Sequence, residues 1–248
     1  MSSNTDFFLS VEDLTVSFDG FKAVDALNLY VEKDELRVII GPNGAGKTTV
    51  LDMICGKTRP TEGSIKFNNR ELVGMPEHQI VRAGVGRKFQ TPSIYENLTV
   101  FENLEVSYPK GRGVLGCLAF RTTDDVVDRI HRVAEEIYLK DYLDTEGAFL
   151  SHGQKQWLEI GMLLMQEPDL LMLDEPVAGM SAPEREQTAE LLKRICKGRS
   201  IIIIEHDMEF VSRIAHKVTV LHLGKILAEG SMEEIHTNPK VVEVYLGH

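Results

Sequence analysis

A glycine-rich segment followed by lysine and threonine is the part of this sequence best suited to chemistry. Residues 41–48 are Gly-Pro-Asn-Gly-Ala-Gly-Lys-Thr, the spacing of a phosphate-binding loop, or P-loop. Glycines let backbone N–H groups surround phosphates, Lys47 supplies a positive charge, and Thr48 supplies a hydroxyl for Mg²⁺. The segment predicts a nucleoside triphosphate site. Its residues are Gly41, Pro42, Asn43, Gly44, Ala45, Gly46, Lys47, Thr48 and Thr49.

Two adjacent carboxylates follow an apolar run further along the chain. Residues 170–173 are Leu-Leu-Met-Leu, and Asp174 and Glu175 come next, which is the form of a Walker B strand. Ligands collect at the carboxyl ends of strands in open α/β sheets. We expect Asp174 to hold Mg²⁺ through water and Glu175 to act as the general base on the attacking water.

A segment at the start of a predicted helix separates this chain from other nucleotide-binding classes. Leu150-Ser151-His152-Gly153-Gln154 lies 23 residues before Asp174, counted from Ser151. It resembles the L-S-G-G-Q signature of ATP-binding cassette (ABC) proteins. A serine and a glycine N–H at a helix N-terminus suit a γ-phosphate. Ser151 is equally suited to cap a core helix that carries Trp157, and both roles can hold together.

The resemblance to ABC ATPases covers residues 8–247 and implies further site residues. Phe18 falls where the family places an adenine-stacking aromatic, although a core position in a strand is the alternative. Gln90 matches the Q-loop glutamine, which reaches Mg²⁺ and the water, and His206 matches the switch histidine at the γ-phosphate. The family binds ATP and Mg²⁺. The implied catalytic set is Glu175, His206 and Gln90, the metal set is Thr48, Gln90 and Asp174, and the signature set is Ser151, Gly153 and Gln154.

Two positions depart from the family pattern. His152 replaces the first glycine of the usual signature, so its ring must fit beside the phosphate site or point away from it. Ser181, in the D-loop segment 178–181, stands where many members have aspartate. The second departure puts the D-loop contact across the dimer in doubt.

Within the family, the chain resembles the ATPase subunits of branched-chain amino-acid-type importers, and most closely the urea-type subunit. The likeness rests on residues 17–24, 86–92, 150–161 and 174–181, with further support from the tail at 228–230, 238–239 and 245–247. It implies an ATP-hydrolysing importer subunit that energises uptake of a small polar solute, urea or branched-chain amino acids.

The predicted fold is α/β: a P-loop NTPase (ABC ATPase) core with a mainly parallel sheet, an N-terminal antiparallel β subdomain and an inserted helical subdomain. Apolar and polar residues alternate over residues 8–31, which predicts an antiparallel hairpin with its turn at Asp19-Gly20. Thr99 and Glu102 have capping-box spacing in the helical part. The predicted ranges are 7–248 for the single ABC ATPase domain, 7–90 and 167–248 for the core, and 91–166 for the helical subdomain. A loop is predicted at 109–116.

Composition excludes several classes of protein. The chain has 248 residues, 43% of them hydrophobic and 26% charged, which is typical of a globular domain and not of a disordered one. Its longest aliphatic run, 201–204, is far shorter than the roughly 20 apolar residues of a membrane span. The formal charge of −11 argues against general nucleic-acid binding. The N-terminus lacks a secretory signal pattern, which predicts a cytoplasmic chain.

In this family a complete ATP site needs two cassettes. We therefore expect a second ABC ATPase subunit, in a homo- or heterodimer, two integral membrane permease subunits, an indirect link to a solute-binding protein, and no nucleic acid. The expected location is peripheral, on the cytoplasmic face of the inner membrane. Residues 91–102 would form part of the groove for a permease helix. Core packing is the alternative for Tyr95, Leu98, Val100 and Phe101, and it is the favoured role for any single one of them.

Other functions remain as alternatives. The main one is a soluble ABC ATPase acting on nucleic acid or ribosomes, but such proteins carry two cassettes or a long coiled coil, which 248 residues do not accommodate. A P-loop kinase or GTPase leaves the signature segment, Gln90 and His206 unexplained. An ABC exporter fragment is disfavoured because no membrane domain is present in the sequence.

Overall fold

The computed structural model describes residues 7–88, 94–109 and 123–246. Its strands are β1 (Leu9–Phe18), β2 (Phe21–Val31), β3 (Leu36–Ile40), β4 (Glu62–Phe67), β5 (Arg70–Glu71), β6 (Val85–Lys88), β7 (Leu170–Asp174), β8 (Ser200–Ile204), β9 (Lys217–His222) and β10 (Lys225–Gly230). They form an antiparallel sheet of order β2-β1-β4-β5 and a six-stranded sheet of order β10-β9-β3-β8-β7-β6. The predicted antiparallel hairpin and mainly parallel core are confirmed.

Helices connect and flank these strands. They are α1 (Lys47–Ile54), α2 (Glu77–Arg82), α3 (Val100–Ser107), α4 (Asp124–Glu136), α5 (His152–Leu164), α6 (Ala182–Ile195), α7 (Met208–Ile214), α8 (Met232–Thr237) and α9 (Pro239–Val241). Short 3₁₀ turns lie at Lys140–Tyr142 and Gly147–Phe149, and a π turn lies at Val242–Leu246. Among the described residues, no helix has the length and apolar character needed to cross a bilayer.

Three neighbouring parallel strands bring the motifs to one edge of the larger sheet. Every residue of β3, β7 and β8 is buried, as expected for strands covered on both faces. Ile204 in β8 lies opposite both Ile39 in β3 and Asp174 in β7. The P-loop, Asp174 and the residues after Ile204 therefore leave the sheet at the same carboxyl edge.

The described residues divide into two compact units. The first comprises Met1–Arg87 as far as it is described, Asp169–Glu175, and Leu192 onward. The second comprises Lys88–Pro168 as far as it is described, and Pro176–Leu191. The first unit holds the P-loop and the two carboxylates at the end of β7, Asp174 and Glu175, and the second holds the signature segment.

Helix caps and close packing define the second unit. Thr99 and Glu102 form the predicted capping box at the start of α3. Helices α3, α4 and α5 bury Leu104, Ile130 and Ile160, among others. Gly161 in α5 leaves room for Leu104 and for Ile137 just after α4, because a Cβ at residue 161 would overlap the Ile137 side chain. The glycine is therefore part of the helix packing.

Some features were not predicted or lie outside the described residues. The stretch between β4 and β6 contains β5 and α2, neither of which was predicted. Helix α2 has six residues, too few for a helical period to be recognised. The predicted loop at 109–116 is described only at Pro109, and Gln90 lies outside the described residues.

Candidate ATP-binding and hydrolysis site

The P-loop follows β3 in a conformation that needs its glycines. Gly41, Gly44 and Gly46 all have positive φ, at 154°, 80° and 99°. A Cβ at Gly41 would overlap the Leu221 carbonyl oxygen, and one at Gly46 would lie 2.6 Å from the Ala23 carbonyl oxygen. Helix α1 then begins at Lys47 without a side-chain cap. Its N-terminal N–H groups are thus available to phosphate oxygens.

Lys47 folds back over the loop. Its Nζ donates hydrogen bonds to the carbonyl oxygens of Gly41, at 2.7 Å, and Pro42, at 3.0 Å. Burial lowers the pKa of Lys47 below its usual value, and the carboxylates of Glu175 and Asp174 oppose that shift. The ammonium is therefore partly desolvated and directed at the centre of the loop, where phosphates would bind.

Thr48 and Asp174 meet beside this loop. The Thr48 hydroxyl lies 3.2 Å from Asp174 Oδ2, and Asp174 is only 3% exposed. Hydroxyl and carboxylate oxygens are the ligand types that Mg²⁺ prefers, commonly with nucleotide phosphates completing the set. The described residues contain no cluster of three or more His, Cys, Asp or Glu side chains able to hold a metal by themselves. The two residues fit a magnesium ion whose remaining ligands come from a nucleotide.

Glu175 and His206 face each other at the same edge of the sheet. Glu175 has a left-handed φ of 47°, and its N–H donates to the Ile204 carbonyl at 3.0 Å. His206 Nδ1 lies 3.6 Å from Glu175 Oε1, and its side chain is 65% exposed. A carboxylate and an imidazole are thus placed together where a water molecule and a γ-phosphate could reach both.

Glu205 supports this pair and was not predicted. It is 1% exposed, and its Oε2 accepts hydrogen bonds from the N–H groups of His206, at 3.0 Å, and Asp207, at 3.4 Å. The bonds fix the backbone that carries His206. A carboxylate just before His206 was the available sequence signal, but its burial could not be read from the pattern.

Phe18 lies at the tip of the β1–β2 hairpin. Its side chain is not part of the core, since it is 50% exposed. Phe21 is its direct partner across the hairpin and is 67% exposed. Strand β2 continues from Phe21 to Ala23, which contacts the P-loop at Gly46. An exposed aromatic pair therefore stands close to the phosphate-binding loop.

The signature segment begins α5 with a capping box. Gln154 N–H donates to Ser151 Oγ at 3.2 Å, and Ser151 N–H donates to Gln154 Oε1 at 2.9 Å. His152 points to the D-loop, where its Nε2 lies 2.9 Å from the Ala178 carbonyl oxygen. The ring also covers Gly179, at which a Cβ would lie 3.2 Å from ring atoms. The bulky residue is thus accommodated by a contact with the D-loop.

The parallel sheet, the P-loop and the carboxylates at its edge define a P-loop nucleotide-binding ATPase. The model of the family described as ABC transporter matches residues 24–178, and one described as Branched-chain amino acid ATP-binding cassette transporter matches residues 225–248. The chain belongs to the ABC transporter family, as its ATP-binding and ATP-hydrolysing subunit.

Full-length relatives and solved structures agree with this assignment. The high-affinity branched-chain amino acid transport ATP-binding protein BraF of Pseudomonas aeruginosa is 36% identical, covering 96% of this chain and 97% of its own. LivG of Escherichia coli, described in the same terms, is 37% identical with the same coverage. The ADP conformation of MJ1267, an ATP-binding cassette of an ABC transporter, has a TM-score of 0.86 and 31% identity, covering 98% of this chain and 100% of that one.

Proposed function

We propose that this chain hydrolyses ATP to drive the import of branched-chain amino acids through partner permease subunits. The observation that carries the substrate class is the match of residues 225–248 to a branched-chain amino acid cassette model, supported by full-length relatives named for that transport. Urea stays a prediction from the sequence likeness. Both solutes can be tested in one experiment.

ATP binding is assigned to the P-loop and the helix that follows it. Backbone N–H groups of the loop and of the first turn of α1 would hold the phosphates, and Lys47 would exchange its bonds to Gly41 and Pro42 for phosphate oxygens. Phe18 would stack on the adenine. Thr48 and Asp174 would hold Mg²⁺, with Gln90 added by the resemblance. When bound, the ion neutralises charge on the phosphates.

Hydrolysis is assigned to Glu175 and His206. Glu175 would accept a proton from the water that attacks the γ-phosphate, and His206 would contact the γ-phosphate. Their separation of 3.6 Å supports action on one reacting centre. Glu205 keeps the backbone of His206 in place by the bonds described above.

The site is completed by a second cassette. Ser151 and the N–H of Gly153 would bind the γ-phosphate of an ATP molecule held by the P-loop of the other subunit, in a homo- or heterodimer. ATP then favours the closed dimer, because only in that state can one ATP molecule contact both the P-loop of one subunit and the signature segment of the other. Two permease subunits and a solute-binding protein complete the proposed importer, and this chain lies at the cytoplasmic face of the membrane. Tyr95, which is 57% exposed, is available to a permease helix.

An uptake assay tests the substrate. In the native host, the gene is deleted and replaced by wild type or by the Glu175→Gln variant, and uptake of radiolabelled leucine and radiolabelled urea is measured. We expect deletion and the variant to abolish high-affinity leucine uptake and to leave urea uptake unchanged. Loss of urea uptake alone would assign the subunit to urea, and normal uptake of both would contradict the proposal.

A further inference from the structure

One carboxylate joins the signature segment to the D-loop. Glu184 lies in the first turn of α6, and its Oε2 accepts hydrogen bonds from Ser181 N–H, at 2.8 Å, and Ser181 Oγ, at 2.7 Å. Its other oxygen, Oε1, accepts a bond of 3.3 Å from Ser151 Oγ. The side chain thus connects the serine of the signature with the serine that ends the D-loop.

The neighbouring residues suit a permanent negative charge at this point. A Cβ at Gly153 would overlap the end of the Glu184 side chain, so the glycine lets the carboxylate come close to the start of α5. Hydrogen bonds from Ser181 hold the pKa of Glu184 below its usual value, with smaller contributions from Ser151 and His152. The carboxylate is ionised at neutral pH.

Glu184 also explains why serine replaces aspartate in the D-loop. Ser181 Oγ can donate its proton to Glu184, whereas an aspartate at residue 181 could only accept. An aspartate would then place a second carboxylate next to that of Glu184. Serine 181 and glutamate 184 are therefore matched to each other.

Ser151 has a single hydroxyl proton, and this proton is already used. The Ser151 hydroxyl donates its hydrogen bond to Glu184 in the structure. To donate to a γ-phosphate instead, the hydroxyl must first give up its hydrogen bond to the carboxylate. The phosphate would then lie beside Glu184, and two negative charges at such distances repel each other. Binding at the signature consequently loosens the contact through which Glu184 is attached to Ser151, while its contacts with Ser181 remain.

We propose that Glu184 is a positioning residue that holds the Ser151 hydroxyl before ATP binds, opposes early binding of a γ-phosphate at the signature, and is released from Ser151, while still bound to Ser181, once the phosphate is in place. This inference rests on the proposed role of Ser151 in ATP binding. The bond of His152 to Ala178 ties the same two segments together at a second point. The start of α5 is therefore attached to the D-loop at Ala178 and, through Glu184, at Ser181.

The test uses the assembly that contains this chain, purified from its own host through a tag on the chain. All samples carry Glu175→Gln, so that ATP is bound and turnover is blocked. The measured quantity is the ATP concentration that gives half-maximal closure of the two cassettes. Cross-linking between the cassettes reports the closure. We expect Glu184→Gln to lower it about fivefold, because glutamine keeps the cap at Ser181 and removes the repulsion. The affinity for ADP, which lacks a γ-phosphate, should not change.

A substitution cycle with Ser181 tests the matching of the two residues. Ser181→Asp alone should raise the half-maximal ATP concentration, and Ser181→Asp with Glu184→Gln should return it towards the reference, since the glutamine amide can donate to aspartate. Glu190→Gln, the same charge change two turns further along α6, is the control. Emission from Trp157, the single tryptophan of this chain, is measured on the separately purified chain and checks that each variant folds.

The outcomes separate the two proposals. The role of Glu184 is overturned if Glu184→Gln leaves the half-maximal ATP concentration unchanged or raises it. It is also overturned if Glu190→Gln lowers that concentration equally. In both cases ATP-driven closure itself is still supported. If the parent with Glu175→Gln does not close with ATP at any concentration, the proposed role of Ser151 fails and this inference fails with it.

Discussion

Thr48 and Asp174 are 126 residues apart in the chain, and their side-chain oxygens lie 3.2 Å from each other. The contact joins the first helical turn after the P-loop to the end of β7. It places a hydroxyl and a buried carboxylate on one side of the phosphate site. Side-chain oxygens from two separate sequence motifs therefore lie next to each other. The expected binding of Mg²⁺ by these two residues can be tested by substitution.

Thr48→Val should remove the dependence of ATP binding on Mg²⁺. Valine fills nearly the same volume without the hydroxyl, so the metal loses one ligand while the packing of α1 is kept. Titration calorimetry with ATP, with and without Mg²⁺, measures the effect. The wild type should bind more tightly with the ion, and the variant should bind equally weakly in both. Thr48→Ser, which keeps the hydroxyl, should behave as wild type, and a variant that still responds fully to Mg²⁺ would contradict the assignment.

Glu175→Gln should bind ATP normally and lose turnover. The amide keeps the size of the side chain but cannot accept the proton of the attacking water, which removes a contribution of about 10²- to 10⁴-fold. The release of phosphate and the binding of a fluorescent ATP analogue are measured on the same samples. Glu209→Gln is a matched control, because Glu209 is an exposed carboxylate paired with Arg213 in α7. Rates close to wild type in Glu175→Gln would rule out the general base.

The sequence predicts local chemistry in this chain better than long-range contacts. The P-loop, Asp174 and Ser151 could be recognised because each belongs to a short run with fixed spacing. The contact between Glu184 and Ser151 could not, because the two residues are 33 positions apart and no periodic pattern connects them. The burial of Glu205 was missed for a related reason. The end of strand β8 before it was predicted, but the order of the strands beside β8 was not. Contacts of this kind are set by the folding of whole elements onto each other.

Phe18→Ala should raise the KM for ATP by about tenfold and leave stability nearly unchanged. The ring is half exposed, so its removal leaves no cavity in the core, whereas stacking on a base contributes about 1–3 kcal/mol. Steady-state hydrolysis gives the KM, and thermal unfolding gives the stability. Phe149→Ala, which removes an even more exposed ring in the other unit, should change neither. A loss of stability in Phe18→Ala without a change in KM would instead support a structural role.

Thr188→Val should destabilise the chain through a buried indole. Trp157 Nε1 donates a hydrogen bond of 2.9 Å to Thr188 Oγ1, and this pair joins α5 to α6 one turn beyond Glu184. Valine has the same shape but no acceptor, so the buried N–H loses its partner at a cost of about 1–3 kcal/mol. Urea unfolding followed by Trp157 emission measures the free energy of unfolding. Thr188→Ser keeps the acceptor and should recover most of the loss, because the smaller side chain forfeits only one methyl group. Little destabilisation in Thr188→Val together with a larger loss in Thr188→Ser would show that packing, and not the hydrogen bond, holds the two helices together.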